Sequence, residues 1–140
     1  MAALQIRAIP WVSLWFAPSP DPKSIAFICS IKHATLHWAA AAIKQFTAGL
    51  DADSYAHTPL VYSAVERKFE IIGEALNQLD KAQAELAARI PHLPQIVAFR
   101  NQLIHGYARV DHDTVWEVIE HSLPALETVV NELLQELGQG

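Results

Sequence analysis

The chain of 140 residues contains a single cysteine, Cys29, which excludes a disulfide framework and any cysteine-based zinc cluster. That usage leans toward a reducing, cytoplasmic compartment. Positive charge is also scarce. Ten Lys and Arg stand against 15 Asp and Glu, for a formal net charge of −5. A protein that holds nucleic acid by bulk electrostatics carries a basic patch or stripe, so the composition argues against that class. No apolar run is long and uninterrupted enough to span a bilayer, and no membrane association is expected. There is no glycine-rich phosphate loop, no nucleophile elbow and no segment with the two-residue alternation of a strand. What the chain does have is apolar residues, 51% of the total, enough for one domain with a real core.

Half of the eight prolines (Pro10, Pro18, Pro20 and Pro22) fall near the start, around Trp11, Val12, Leu14, Trp15 and Phe16. Proline at this density blocks a continuous helix. Arg7 before an apolar stretch admits a secretory signal as an alternative, but no clear small-x-small cleavage site follows. Residues 1–27 therefore read as a loosely ordered, Pro-rich extension, and residues 28–140 as the folded domain.

From about Ser24 the pattern is helical, with Ile25, Cys29, Leu36, Ala40, Ile43 and Leu50 on one face and Gly49 as the stop. Residues 51–57 read as a polar connection. Thr58-Pro59 then supplies an N-cap and a proline at the first helical position. The second helix, to about Leu79, lines up Val61, Val65, Phe69, Ile72, Leu76 and Leu79, with Glu66, Glu70 and Glu74 on the other side. A weaker segment covers residues 81–90, and a third helix runs from about Pro94 to Ile104, stopped by Gly106. The last begins near Thr114, whose spacing to Glu117 is that of a capping box, and bends at Pro124. The expected fold is an all-α antiparallel bundle of four main helices.

Helix packing leaves one octapeptide unexplained: Arg100-Asn101-Gln102-Leu103-Ile104-His105-Gly106-Tyr107. Arg100 projects into the apolar arc of its helix, about 40° from Ile96. A guanidinium in such a place needs a partner. Either a carboxylate on a neighbouring helix pairs with it, or it faces a cleft and receives an anion such as phosphate. His105 lies about 140° from Arg100 on an ideal helix, so the two share a site only if the chain turns at Gly106. An Arg and a His together suit phosphodiester chemistry: the imidazole exchanges a proton near neutral pH and the guanidinium stabilises charge on phosphate oxygens. A His that merely caps a helix is the alternative. Elsewhere, His33 and His37 are four apart, a spacing open to two metal ligands, but no carboxylate accompanies them and surface histidines are the simpler reading. Neither a metal nor a cofactor is expected. Glu70 and Glu74 read as a solvated face or, less simply, as orienting partners of Arg100. Lys68 falls inside an apolar stripe, and Trp38 and Trp116 read as core or interface aromatics.

The octapeptide, followed by Val110-Asp111 and Val115-Trp116, resembles the motif of HepT-type toxins of the HEPN superfamily: Arg, a polar residue, three further positions, His, any residue, Tyr. Upstream, residues 64–75 resemble that family's second helix, with its Ile-Gly-Glu-Ala core at Ile72-Gly73-Glu74-Ala75. The resemblance covers roughly residues 33–137. It implies an α-helical bundle and a metal-independent ribonuclease that acts as a homodimer, the toxin of a toxin–antitoxin pair. Carried over residue by residue, Arg100 would stabilise the scissile phosphate, His105 would act as general base or acid, and Asn101 would support them. The implied partner is an MntA-type nucleotidyltransferase antitoxin that silences the toxin by transferring AMP onto Tyr107. A catalytically silent helical partner of such a nucleotidyltransferase is the competing expectation. The acidic composition then needs refining. Glu117, Glu120, Glu127, Glu132 and Glu136 place much of the negative charge on the last helix, leaving room for a small positive cleft built from Arg100, with Arg109 nearby.

Overall fold

The computed structural model describes residues 22–106 and 110–138, with side chains from residue 32 onward. Among the described residues seven α-helices follow in order: α1 (Pro22–Thr47), α2 (Ala52–Ala56), α3 (Pro59–Ala82), α4 (Ala84–Ala87), α5 (Leu93–His105), α6 (His112–Glu117) and α7 (Leu123–Gly138). A π turn, Val118–Ser122, joins α6 to α7. No strand occurs among the described residues. The fold is the expected all-α bundle, in which α1, α3, α5 and α7 are the four main helices and α3 is central, packing against both α1 and α5.

The apolar stripes meet where their periodicity points. Leu36, Ala40 and Ile43 of α1 and Val65, Phe69, Ile72, Leu76 and Leu79 of α3 are buried in one cluster with Leu123, Leu126, Val130 and Leu133 of α7. Leu50 lies past the end of α1, where Gly49 takes φ +77°, a left-handed turn that any side chain would resist. The side chains of Ile25 and Cys29 lie outside the described residues, as do residues 1–21.

Three local expectations change. The polar connection at residues 51–57 contains the short helix α2. Asp51 accepts from the Ser54 backbone at 2.8 Å, and the Asp51 backbone donates to Ser54 Oγ at 2.9 Å, a capping box built with serine. Thr58 does not cap α3 with its side chain; its hydroxyl donates back to the Ser54 carbonyl at 2.7 Å. The last helical stretch starts at His112 rather than near Thr114. Asp111 is its N-cap, and Thr114 donates to Asp111 Oδ2 at 3.0 Å. The bend expected at Pro124 is the π turn just before it. Proline has no N–H, and its ring collides with the carbonyl four residues back. The helix widens there, and the Leu123 N–H bonds to the Val118 carbonyl five residues earlier.

The capping box at α2 has a larger consequence, since it turns Tyr55 fully into the core. The ring packs against Tyr62, His112 and Trp116, with the Trp116 centroid at 5.4 Å. Its hydroxyl is buried without a hydrogen-bond partner among the described residues, and burial pushes its pKa well above that of an ordinary phenol. A buried, unpaired hydroxyl opposes folding. Tyr55→Phe should therefore stabilise the protein by about 1 kcal/mol in urea denaturation. A loss of stability of that size would show that the hydroxyl is satisfied.

Candidate active site

The site begins with a missing side chain. A Cβ placed on Gly73 would lie 2.4 Å from Arg100 Cβ and 2.7 Å from Arg100 Cγ, so α3 and α5 touch backbone to side-chain root at this point. One residue earlier on α5, Phe99 meets Phe69 of α3 edge-on, with ring centroids 5.6 Å apart. The Arg100 side chain then runs along α3 to Glu74, where Nη2 lies 2.6 Å from Oε2. Nη1 donates to Asn101 Oδ1 at 2.9 Å, and Nε is buried with no hydrogen-bond partner among the described residues.

This geometry separates the alternatives left open by the sequence. Arg100 does pair with a carboxylate of a neighbouring helix, and Glu74 is that carboxylate. Glu70 instead pairs with Arg67 on its own helix at 2.7 Å. Arg100 is nevertheless 22% exposed, so its charge is anchored rather than sealed. Glu74 also accepts from Gln78 at 2.9 Å. That hydrogen bond is the main reason its carboxyl titrates below the usual range, with the charge of Arg100 adding to it against the opposing effect of burial. The carboxylate therefore stays charged at neutral pH. Gln78 in turn accepts from Lys32 of α1, which ties the pair to a third helix.

Asn101 is exposed and orients Arg100 directly. His105 is the last residue of α5, exposed, with Gly106 at the cap. The helix stays regular through His105, so the imidazole projects about 140° away from Arg100. No hydrogen bond or ion pair joins the two within one chain among the described residues. Tyr107 and Arg109 lie outside the described residues.

The remaining candidates fall to structural roles. His33 Nε2 is 2.8 Å from Asn131 Oδ1, and its ring meets that of His37 at 4.9 Å. No group of three or more metal-ligating side chains occurs among the described residues. Lys68 sits with Nζ 3.6 Å above the exposed ring of Trp38, a cation–π pair on the α1–α3 surface. The acidic last helix is partly neutralised by Lys44–Glu127 at 2.5 Å and Arg89–Glu136 at 2.6 Å. The spacing role of Gly73 is not visible from periodicity. Its signals are a glycine inside a helix that otherwise keeps its apolar stripe, and its place in the Ile72-Gly73-Glu74-Ala75 stretch.

Fold and site together define a helical bundle that presents an ion-paired arginine five residues ahead of a helix-terminal histidine. The Ribonuclease HepT-like family model matches residues 36–133, and the chain belongs to this ribonuclease family. It is 30% identical over 99 residues to "Putative RNase MJ0125" of Methanocaldococcus jannaschii, which covers 69% of this chain and 83% of that one. Identity is 35% over 88 residues with "Putative RNase TTE0752" of Caldanaerobacter subterraneus subsp. tengcongensis, covering 63% and 78%. With "Probable ribonuclease HepT" of Thermococcus cleftensis it is 29% over 85 residues, covering 61% and 76%. No solved structure matches the chain significantly.

Gly73→Ala should cost about 1–3 kcal/mol, because the added methyl meets the root of Arg100 rather than a flexible tip. Chemical denaturation measures this, and an unchanged midpoint would contradict the close approach. Glu74 makes a pH-dependent contribution. Its folded-state pKa is depressed, so the stabilisation is complete above the ordinary value of 4.5 and is lost as pH falls through the folded value. Stability followed from neutral pH downward should fall less steeply below about pH 4.5 in Glu74→Gln than in wild type. Parallel curves would show that Glu74 carries no such contribution.

Proposed function

We propose that the chain is a metal-independent endoribonuclease, the toxin of a toxin–antitoxin pair, that works as a homodimer in the cytoplasm. The observation that carries this reading is the anchoring of Arg100 by Gly73 and Glu74 on a helix that ends at His105, in a chain of the ribonuclease HepT-like family. One subunit alone does not bring the two side chains together, so a two-fold pair with both α5 helices facing one cleft supplies the convergence. Ile104, 43% exposed beside His105, is an apolar surface suited to such a pairing.

In this cleft Arg100 holds the scissile phosphate and stabilises charge that develops on its non-bridging oxygens. His105 takes the proton of the ribose 2′-hydroxyl as that oxygen attacks phosphorus. The bond to the leaving 5′-oxygen breaks, and an imidazolium returns a proton to it. No metal enters the step. Asn101 keeps the guanidinium oriented. A nucleotidyltransferase antitoxin of the MntA type silences the enzyme by transferring AMP to Tyr107, which places bulk and negative phosphate beside the catalytic pair. The pairing of Arg100 with Glu74 favours one competing reading: a catalytically silent helical partner of the same nucleotidyltransferase.

Purified protein should cleave RNA in EDTA, and His105→Ala should lower the rate by about 100-fold or more. Arg100→Ala should fall similarly while remaining folded by circular dichroism. Cleavage at the wild-type rate by either variant removes that residue from the chemistry, and no cleavage by the wild-type protein leaves the silent-partner reading. With the antitoxin and ATP, AMP adducts should appear on the peptide that contains Tyr107 and should be absent from Tyr107→Phe.

A further inference from the structure

Helices α5 and α7 leave a groove of about 480 Å³ between them, and no Lys, Arg, Asp or Glu lines it. The outer face of α1 and α3 differs from it, because positive charge lies there beside exposed aromatic rings. The chain has no Asp or Glu between Asp21 and Asp51, so α1 holds no carboxylate, while it carries Lys23, Lys32 and Lys44. Helix α5 likewise has no carboxylate, and it carries Arg100. The two helices that flank α3 are therefore free of negative charge of their own, in a protein whose net charge is −5.

Trp38 does not enter the core; it is 58% exposed. Lys68 of α3 lies against one face of its indole, with Nζ 3.6 Å from the ring centroid. Phe46, eight residues or about 12 Å further along α1, is exposed as well. A row of side chains joins this face to the arginine of α5. Arg100 pairs with Glu74, Gln78 donates to Glu74, and Lys32 donates to Gln78. Lys32 precedes Trp38 by six residues, about 9 Å along the helix. Neighbouring helices pack about 8–10 Å apart, so α1 stands at most roughly 20 Å from α5 across α3. The Glu70 carboxylate of α3 is paired with Arg67 and the Glu74 carboxylate with Arg100.

Exposed rings interleaved with lysines suit single-stranded nucleic acid, whose bases stack on the rings while its phosphates meet the cations. An apolar protein surface laid here would strip water from Lys32 and Lys68 without answering their charge. A phosphate strand answers both. We propose that the outer face of α1 and α3 is an exosite for single-stranded RNA. One base stacks on the open face of Trp38, and phosphates meet Lys68 and Lys32. The exosite rests on the ribonuclease reading above and extends it, since a strand held at Arg100 is also gripped on α1.

The test uses a fluorescently labelled 2′-O-methyl oligouridylate of about 12 nucleotides, followed by anisotropy. Without a 2′-hydroxyl it is not cut by attack of that oxygen, so binding is read apart from cleavage. Trp38→Ala should weaken binding about fivefold or more, while Trp38→Phe, which keeps a ring, stays within about twofold of wild type. Lys68→Gln should make the slope of log affinity against log salt shallower by about 0.7. Equal affinity of wild type and Trp38→Ala, an unchanged salt slope in Lys68→Gln, or no binding by the wild type would each overturn the proposal. So would a changed mass in light scattering for Trp38→Ala with RNA affinity intact, which would assign the face to a protein contact. Binding that follows the expected pattern in a protein that leaves unmodified RNA uncut would remove the ribonuclease chemistry and keep the exosite.

Discussion

The approach of α5 to α3 at Gly73 governs the rest of the molecule. Because Gly73 has no side chain, the root of Arg100 enters the space a Cβ would fill, and any larger residue there would force the two helices to shift. An arginine brought that close to a helix must find an anion, and the very next residue of α3 is Glu74. Two adjacent residues thus set the spacing and the charge balance of one crossing. Everything further along α5 takes its direction from that crossing, including Asn101, Ile104 and His105.

The ion pair is neither buried nor fully solvated, with Arg100 at 22% and Glu74 at 40% exposure. Its value is therefore positional more than energetic, since pairs this open contribute little to stability. Glu74 is held charged by Gln78 as well as by Arg100, and Gln78 is held by Lys32 of α1. The guanidinium is consequently fixed from two helices while part of it still faces solvent. In the proposed reaction, an incoming phosphate would meet a cation already oriented and would have to compete with a single carboxylate for it. The net acidity of the chain is no obstacle to this. Glu127 and Glu136 of the last helix are paired to Lys44 and Arg89.

Much of the fold is legible in the sequence. The stripes of α1, α3 and α7 follow from the 3.6-residue period, and Gly49 and Gly106 mark ends that the backbone confirms. The places that misled share a cause: side-chain hydrogen bonds that compete at helix ends. Asp51 with Ser54 makes a helix out of what reads as a polar connection, and it carries Tyr55 into the core. Asp111 caps α6 ahead of Thr114, which serves Asp111 rather than the helix. Pro124 was a visible disturbance, yet a proline can kink, end or widen a helix, and only its neighbours choose the π turn.

The sequence by itself determined the class of fold, the four main helices, and the presence of an arginine on an apolar face that required a partner. Local periodicity and the chemistry of single residues are enough for those conclusions. Only the tertiary structure decided which of several carboxylates answers Arg100, why a glycine interrupts α3, and that the α5–α7 seam stands open. Those are properties of distances between segments far apart in the chain, and no period within one segment encodes them. That His105 and Arg100 stay on different faces of α5 is set by Gly106 lying beyond a helix that remains regular to its last residue. Within the single chain the two side chains therefore do not converge.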